Sequence, residues 1–89
     1  MAGEIIVHPR VRERHPEITD EDVRKAWANC VRSAVRHDTG DVVAVGIDER
    51  GRLVEIIARR VSVDALVVYH AFSPPTKKML MELGLSKRR

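Results

Sequence analysis

A chain of 89 residues with a net charge of +3 is read as one small domain around one core. Cys30 is the only cysteine, so no disulfide within the chain supports that core. The start of the chain lacks the pattern of a secretory signal, and no apolar run approaches the roughly 20 residues that span a bilayer, so the expectation is a soluble cytoplasmic protein with no membrane role.

Residues 4–7 are short and β-prone, and His8-Pro9 ends them as an edge strand or extended lead-in. Residues 10–15 suit a short helix with Val11 inward and Arg10, Arg12 and Arg14 outward, and Pro16 stops it. Thr19 and Asp22 form an Asp variant of the capping box, with Ile18 and Val23 at the staple positions. Val23, Trp27, Cys30, Val31 and Ala34 then recur at helical spacing, which predicts a helix over about residues 20–33 burying Trp27 and Cys30.

Residues 34–38 allow a short strand before the turn at Asp38-Thr39-Gly40-Asp41. Val42–Ile47 reads as a buried strand, Asp48-Glu49-Arg50-Gly51 as a hairpin loop, and Arg52–Arg60 as the returning strand. Ala65–Phe72 follows as a third strand; strict alternation groups Leu66, Val68, His70 and Phe72 on one face. Ser73 is placed to cap a last helix with Pro74 at its first position, and Gly84 to end it. The predicted fold is α+β, in the order β-α-α-(β)-β-β-β-α. A small antiparallel sheet of three to four strands packs on helices over residues 1–85, and residues 86–89 form a basic tail.

Charge is uneven: residues 17–41 are mildly acidic and residues 61–89 basic. Such a surface attracts phosphates or an acidic protein, or is simply solvated. No CxxC pair, HExxH or glycine-rich phosphate loop is present, and the histidines lack metal-ligand spacing, so no metal or other cofactor is expected.

The densest polar cluster is Tyr69-His70 through Ser73 and Thr76-Lys77-Lys78, where a strand runs into a helix start. Free N–H groups and the helix dipole favour phosphate there. His70 exchanges protons near neutral pH, or is a hydrogen-bonded strand histidine without chemistry. RNA cleavage needs a base for the 2′-OH, an acid for the leaving oxygen and cations for the charged transition state. Antiparallel pairing puts Arg52 nearer His70 than Arg59-Arg60, which makes Arg52 the expected phosphate clamp. The expected catalytic set is His70, Arg52 and Lys77, with Lys78, Tyr69, Ser73, Arg10 and Arg14 holding RNA phosphates.

Three stretches carry a resemblance. Arg12-Glu13-Arg14-His15-Pro16 with Thr19-Asp20-Glu21-Asp22-Val23 matches a short basic helix followed by an acid-capped one. Val43-Ala44-Val45-Gly46-Ile47 through Gly51-Arg52-Leu53-Val54-Glu55-Ile56 matches a central hairpin. Val68-Tyr69-His70-Ala71 with Thr76-Lys77-Lys78 matches a last strand and helix. Together, over about residues 5–82, they resemble the BrnT group of bacterial toxins in the RelE-like ribonuclease superfamily. The resemblance implies an RNA-cleaving toxin that slows translation, and a partner antitoxin covering the basic face. The family's last strand ends Ser-Ala-Arg where this chain has His70-Ala71-Phe72, which leaves the chemistry to His70 or Arg52.

The alternative is a non-catalytic module of the same fold that binds nucleic acid or an acidic partner helix. Only Trp27, Tyr69 and Phe72 are aromatic, which leaves little for base stacking. A homodimer through Val7 or the C-terminal segment is also compatible with the sequence.

Overall fold

A computed structural model describes residues 4–86. The elements are β1 (Glu4–Val7), α1 (Pro9–Arg14), α2 (Asp20–Ala28), β2 (Cys30–Val35), β3 (Val42–Ile47), β4 (Leu53–Ser62), β5 (Ala65–Phe72) and α3 (Lys77–Glu82). The strands form one five-stranded sheet in the order β1-β5-β4-β3-β2. The expected antiparallel meander is β3-β4-β5, but the sheet is larger than three to four strands and is mixed. β1 pairs parallel with β5, Glu4 opposite Ala65 and Val7 opposite Val68. A parallel pair needs a long crossover, and everything between β1 and β5 supplies it. Val7 is accordingly paired with β5 and partly buried against the core, not exposed as expected.

The second helix stops at Ala28, earlier than periodicity suggested. Residues 30–35 become an edge strand instead, with Arg32–Val35 paired along β3 and Val31 skipped at a bulge. Every residue of β2 is exposed, and Cys30 is a surface thiol, contrary to the core position expected of it. Trp27 is only partly buried. The start of α2 is as predicted: Thr19 Oγ1 accepts from the Asp22 N–H at 3.0 Å, and Asp22 Oδ2 accepts from the Thr19 N–H at 3.0 Å. A cap of this kind contributes about 1 kcal/mol.

The core lies between α1 and α2 and one face of the sheet. Ala44, Val54, Ile56, Ala58, Leu66, Val68 and Ala71 meet Val11, Ile18, Val23 and Ala26 there. α2 approaches β3 so closely that Gly46 lies against the backbone carbonyl of Ala26, leaving no room for a Cβ. On the opposite face α3 sets Met79 and Leu83 on Val43 and Val45. Gly84 has φ +71°, and the Leu85 N–H donates to the Leu80 carbonyl at 2.7 Å, which closes α3 as the sequence predicts. Its N-cap is Thr76, however, and Ser73 lies outside the helix. Ser73 Oγ donates to the Leu53 carbonyl at 2.7 Å, and the two prolines after it carry the chain to Thr76 without helix. Of the tail expected over 86–89, residues 87–89 lie outside the described residues.

One irregularity decides what β5 presents. His70 pairs with Ile57, yet Val68 pairs with Ala58, so Tyr69 has no partner across the ladder. The bulge breaks strict alternation. Leu66, Val68 and Ala71 face the helical core, whereas Tyr69 and His70 both leave it. Without the bulge His70 would share the buried face of Leu66 and Val68. In the protein its side chain keeps 32% of its surface exposed.

Candidate functional site

β1 pairs only with residues 65–68, so the outer edge of β5 beyond Val68 is left to α1. His8 starts the helix, its Nδ1 accepting from the Arg10 N–H at 3.1 Å and its own N–H donating to the Val68 carbonyl at 2.8 Å. Val11 is buried as the anchor. Arg10 and Arg14, four residues apart, share one side of the helix. They line an open cleft of about 240 Å³ with His15, Ile57, Tyr69 and His70. The imidazoles of His15 and His70 stand edge to face, 6.4 Å between centroids. His15 also packs against Phe72 at 4.8 Å, and its Nδ1 lies 3.7 Å from Glu17 Oε2.

His70 is held from behind. Its Nε2 lies 2.7 Å from Oε2 of Glu55, whose side chain is 5% exposed. An ionised carboxylate only accepts, so this contact puts the proton on Nε2 and leaves Nδ1 as the nitrogen free to exchange one. The other oxygen of Glu55 accepts from the Thr76 N–H at 2.8 Å and from Thr76 Oγ1 at 3.0 Å. The start of α3, expected to take a substrate phosphate, is therefore already served by the protein's own carboxylate.

Tyr69 makes a second network. Its hydroxyl donates to Asp41 Oδ2 at 2.7 Å, and Arg59 Nε donates to Asp41 Oδ1 at 3.1 Å. The Arg59 guanidinium sits over the Tyr69 ring, 5.4 Å from its centroid. The Tyr69 hydrogen bond, with Arg59 beside it, holds the Asp41 carboxyl below its usual range despite burial. Burial and the bond to Asp41 push the Tyr69 phenol up. Tyr69 thus contributes a ring wall to the cleft, while its hydroxyl is engaged by Asp41.

The predicted set is brought together only in part. His70, Tyr69, Arg10 and Arg14 converge. Arg52 does not: it shares the parity of Val54 and Ile56 and turns to the other side of the sheet. There Nε donates to Asp48 Oδ2 at 2.8 Å and an Nη donates to Asp22 Oδ2 at 3.2 Å. Distance along the strands had favoured Arg52, but side-chain parity excludes it. Lys77 and Lys78 are exposed on α3, and Lys78 lines a separate shallow hollow with Arg36, His37 and Glu82. Ser73 is tied to Leu53.

Three residues were not assigned a role from sequence. In the sequence His15 reads only as the end of a basic helix, Glu55 as a strand residue and Asp41 as part of a turn. The signal for Glu55 was a carboxylate on the same strand face as Ile57 and Arg59, close to His70 once the strands are paired. Among the described residues no three His, Cys, Asp or Glu side chains gather as a metal site, and no helix is long and apolar enough to cross a membrane. Comparison of the chain with protein-family models, curated proteins and solved structures finds no match.

Proposed function

We propose that the protein is a toxin-like, metal-independent endoribonuclease of the BrnT type within the RelE-like superfamily, with RNA as substrate and a partner antitoxin that covers the cationic cleft. The observation that carries this reading is the gathering of His15 and His70 with Arg10 and Arg14 in one open cleft. Two imidazoles on either side of a phosphodiester supply both proton transfers of RNA cleavage. His70 Nδ1 takes the proton of the 2′-OH, whose oxygen attacks phosphorus. The bond to the 5′-oxygen breaks, and protonated His15 delivers a proton to that leaving oxygen. The products are a 2′,3′-cyclic phosphate and a 5′-hydroxyl. Glu55 stabilises the imidazolium formed at His70, and Arg10 and Arg14 offset the charge on the phosphoryl oxygens. Arg52, Lys77 and Lys78 have no part in this step.

The test is cleavage of single-stranded RNA by purified protein in chelator, comparing wild type with His70→Ala and His15→Ala. Each substitution lowers the rate by about 10²–10⁴, and cyclic phosphate ends accumulate in the wild-type reaction. Equal cleavage by all three proteins rejects the mechanism, and no cleavage by the wild type leaves a non-catalytic binding module of the same fold.

A further inference from the structure

A second cleft adjoins the first. It has a volume of about 370 Å³ and is lined by His8, Arg10, Arg59, Val61, Val67 and Tyr69. That volume lies toward the lower end of the roughly 300–1,000 Å³ usual for small-molecule sites. The two clefts share Arg10 and Tyr69 in their walls, so they lie side by side along β5. The register explains the apolar floor. Arg60 pairs with Leu66 and Ser62 with Ala65, so Val61 is bulged out of the ladder and joins Val67 and Arg59 in the cleft. Val61 is 57% exposed there and gives the cleft an apolar surface beside Val67.

From this we infer that the second cleft is a nucleobase subsite for the nucleotide adjoining the scissile phosphate; the assignment of RNA rests on the nuclease reading above. Arg59 is the platform. Asp41 Oδ1 accepts from its Nε at 3.1 Å, and its guanidinium carbon lies over the Tyr69 ring, 5.4 Å from the centroid, so the group is tethered from two sides. The side chain is 64% exposed. RNA-binding proteins stack unpaired bases on such planes as they do on aromatic rings. Val61 and Val67 offer apolar contact to the base edge. Arg10, common to both clefts, stands where the backbone passes from one to the other, and His8 adds a donor on the same side. A scarcity of aromatic residues is thus no bar to base contact, because the tethered guanidinium of Arg59 supplies a flat surface of its own.

The test uses the full chain and uncleavable 2′-O-methyl trinucleotides, intact or lacking one base at each position in turn, with affinity read by fluorescence anisotropy. Removing the base at one terminal position should weaken wild-type binding about ten- to a hundredfold, the usual range for one stacked base. Val61→Asp should bind the intact and that base-free probe equally. Arg59→Lys should also lose the discrimination while keeping its salt dependence, since it retains charge and not the plane. Val61→Trp should widen it. Wild-type protein that does not distinguish the probes at any position, or Val61→Asp that still does, overturns the subsite. Absence of cleavage with discrimination intact rejects the nuclease and leaves the base subsite; cleavage without discrimination does the reverse.

Discussion

Glu55 joins two elements through one carboxylate: Oε2 meets His70 Nε2 at 2.7 Å, while Oε1 meets the Thr76 N–H at 2.8 Å. The residue that orients the imidazole is also the one that seats the start of α3.

Replacement of Glu55 should separate these roles. Glu55→Gln keeps shape and can still accept from Thr76, but it cannot stabilise an imidazolium. We expect RNA cleavage to fall by about 10²-fold or more through kcat, with KM little changed. Glu55→Ala additionally removes the charged acceptor shared by His70 and Thr76 and should cost about 1.5–3 kcal/mol of stability, the range for hydrogen bonds to an ionised group. A Glu55→Gln protein with wild-type kcat would remove Glu55 from positioning.

Gly46→Ala tests the packing of α2 on β3. The added Cβ meets the Ala26 carbonyl oxygen, which belongs to a helix backbone and cannot swing away. Overpacking of this kind costs about 1–3 kcal/mol, and a rigid backbone neighbour puts this case at the top. At about 4–8 °C per kcal/mol for a domain of this size, Tm should drop by more than about 12 °C.

The sequence discloses the meander and the α2 cap because both rest on local signals, strand alternation and side chains three residues apart. It does not disclose β1 beside β5, since parallel pairing leaves no turn to read. Nor does it mark Cys30–Val35 as a strand: Cys30, Val31 and Ala34 fit a helical stripe as well as an edge strand, and the partner strand decides. The site follows the same division. His70, Tyr69, Arg10 and Arg14 stand out by type, but Arg52 was misplaced by parity. The bulge at Tyr69, which brings His70 out of the core, is a register event with no glycine or proline to announce it.

Arg52 is a stabilising residue. Its guanidinium neutralises Asp48, whose side chain is fully buried, and Asp22, whose side chain is 5% exposed. Burial pushes the Asp48 carboxyl up, but the Arg52 and Arg50 amides and the Arg52 side chain outweigh it and hold it below its ordinary range. Arg52→Ala should lower stability by about 1–3 kcal/mol, read as a shift of the urea midpoint without a change in slope.

Acid should weaken the fold for the same reason. Asp41, Asp48 and Glu82 are all held below their usual range: Asp41 by Tyr69 and Arg59, Asp48 by its amide and Arg52 bonds, Glu82 by Arg36. Below about pH 4 the unfolded chain therefore takes up protons that the folded protein refuses. Stability is fully present above that pH and is lost as pH falls through it toward the lower folded values. Tyr69 acts at the other end: its raised phenol favours the fold below about pH 10 and withdraws that support as pH rises further. Urea midpoints should fall as pH drops from about 4 to 3 and fall again above about pH 10; a midpoint that rises between about pH 4 and 3 would contradict these assignments.

Arg10 and Arg14 should be visible as counterion release. Each phosphate neutralised on single-stranded RNA contributes about 0.7 to the slope of log affinity against log salt. Arg10→Gln and Arg14→Gln should each reduce that slope by about this amount, because both side chains line the cleft. Lys78→Gln should leave it unchanged, since Lys78 lies beside Arg36 and Glu82 on another part of the surface. The double variant Arg10→Gln/Arg14→Gln should lose about 1.4 from the slope if two separate phosphates are held, and less if both arginines share one. A slope that responds to Lys78 and ignores Arg10 would move the RNA track off β5 and onto α3.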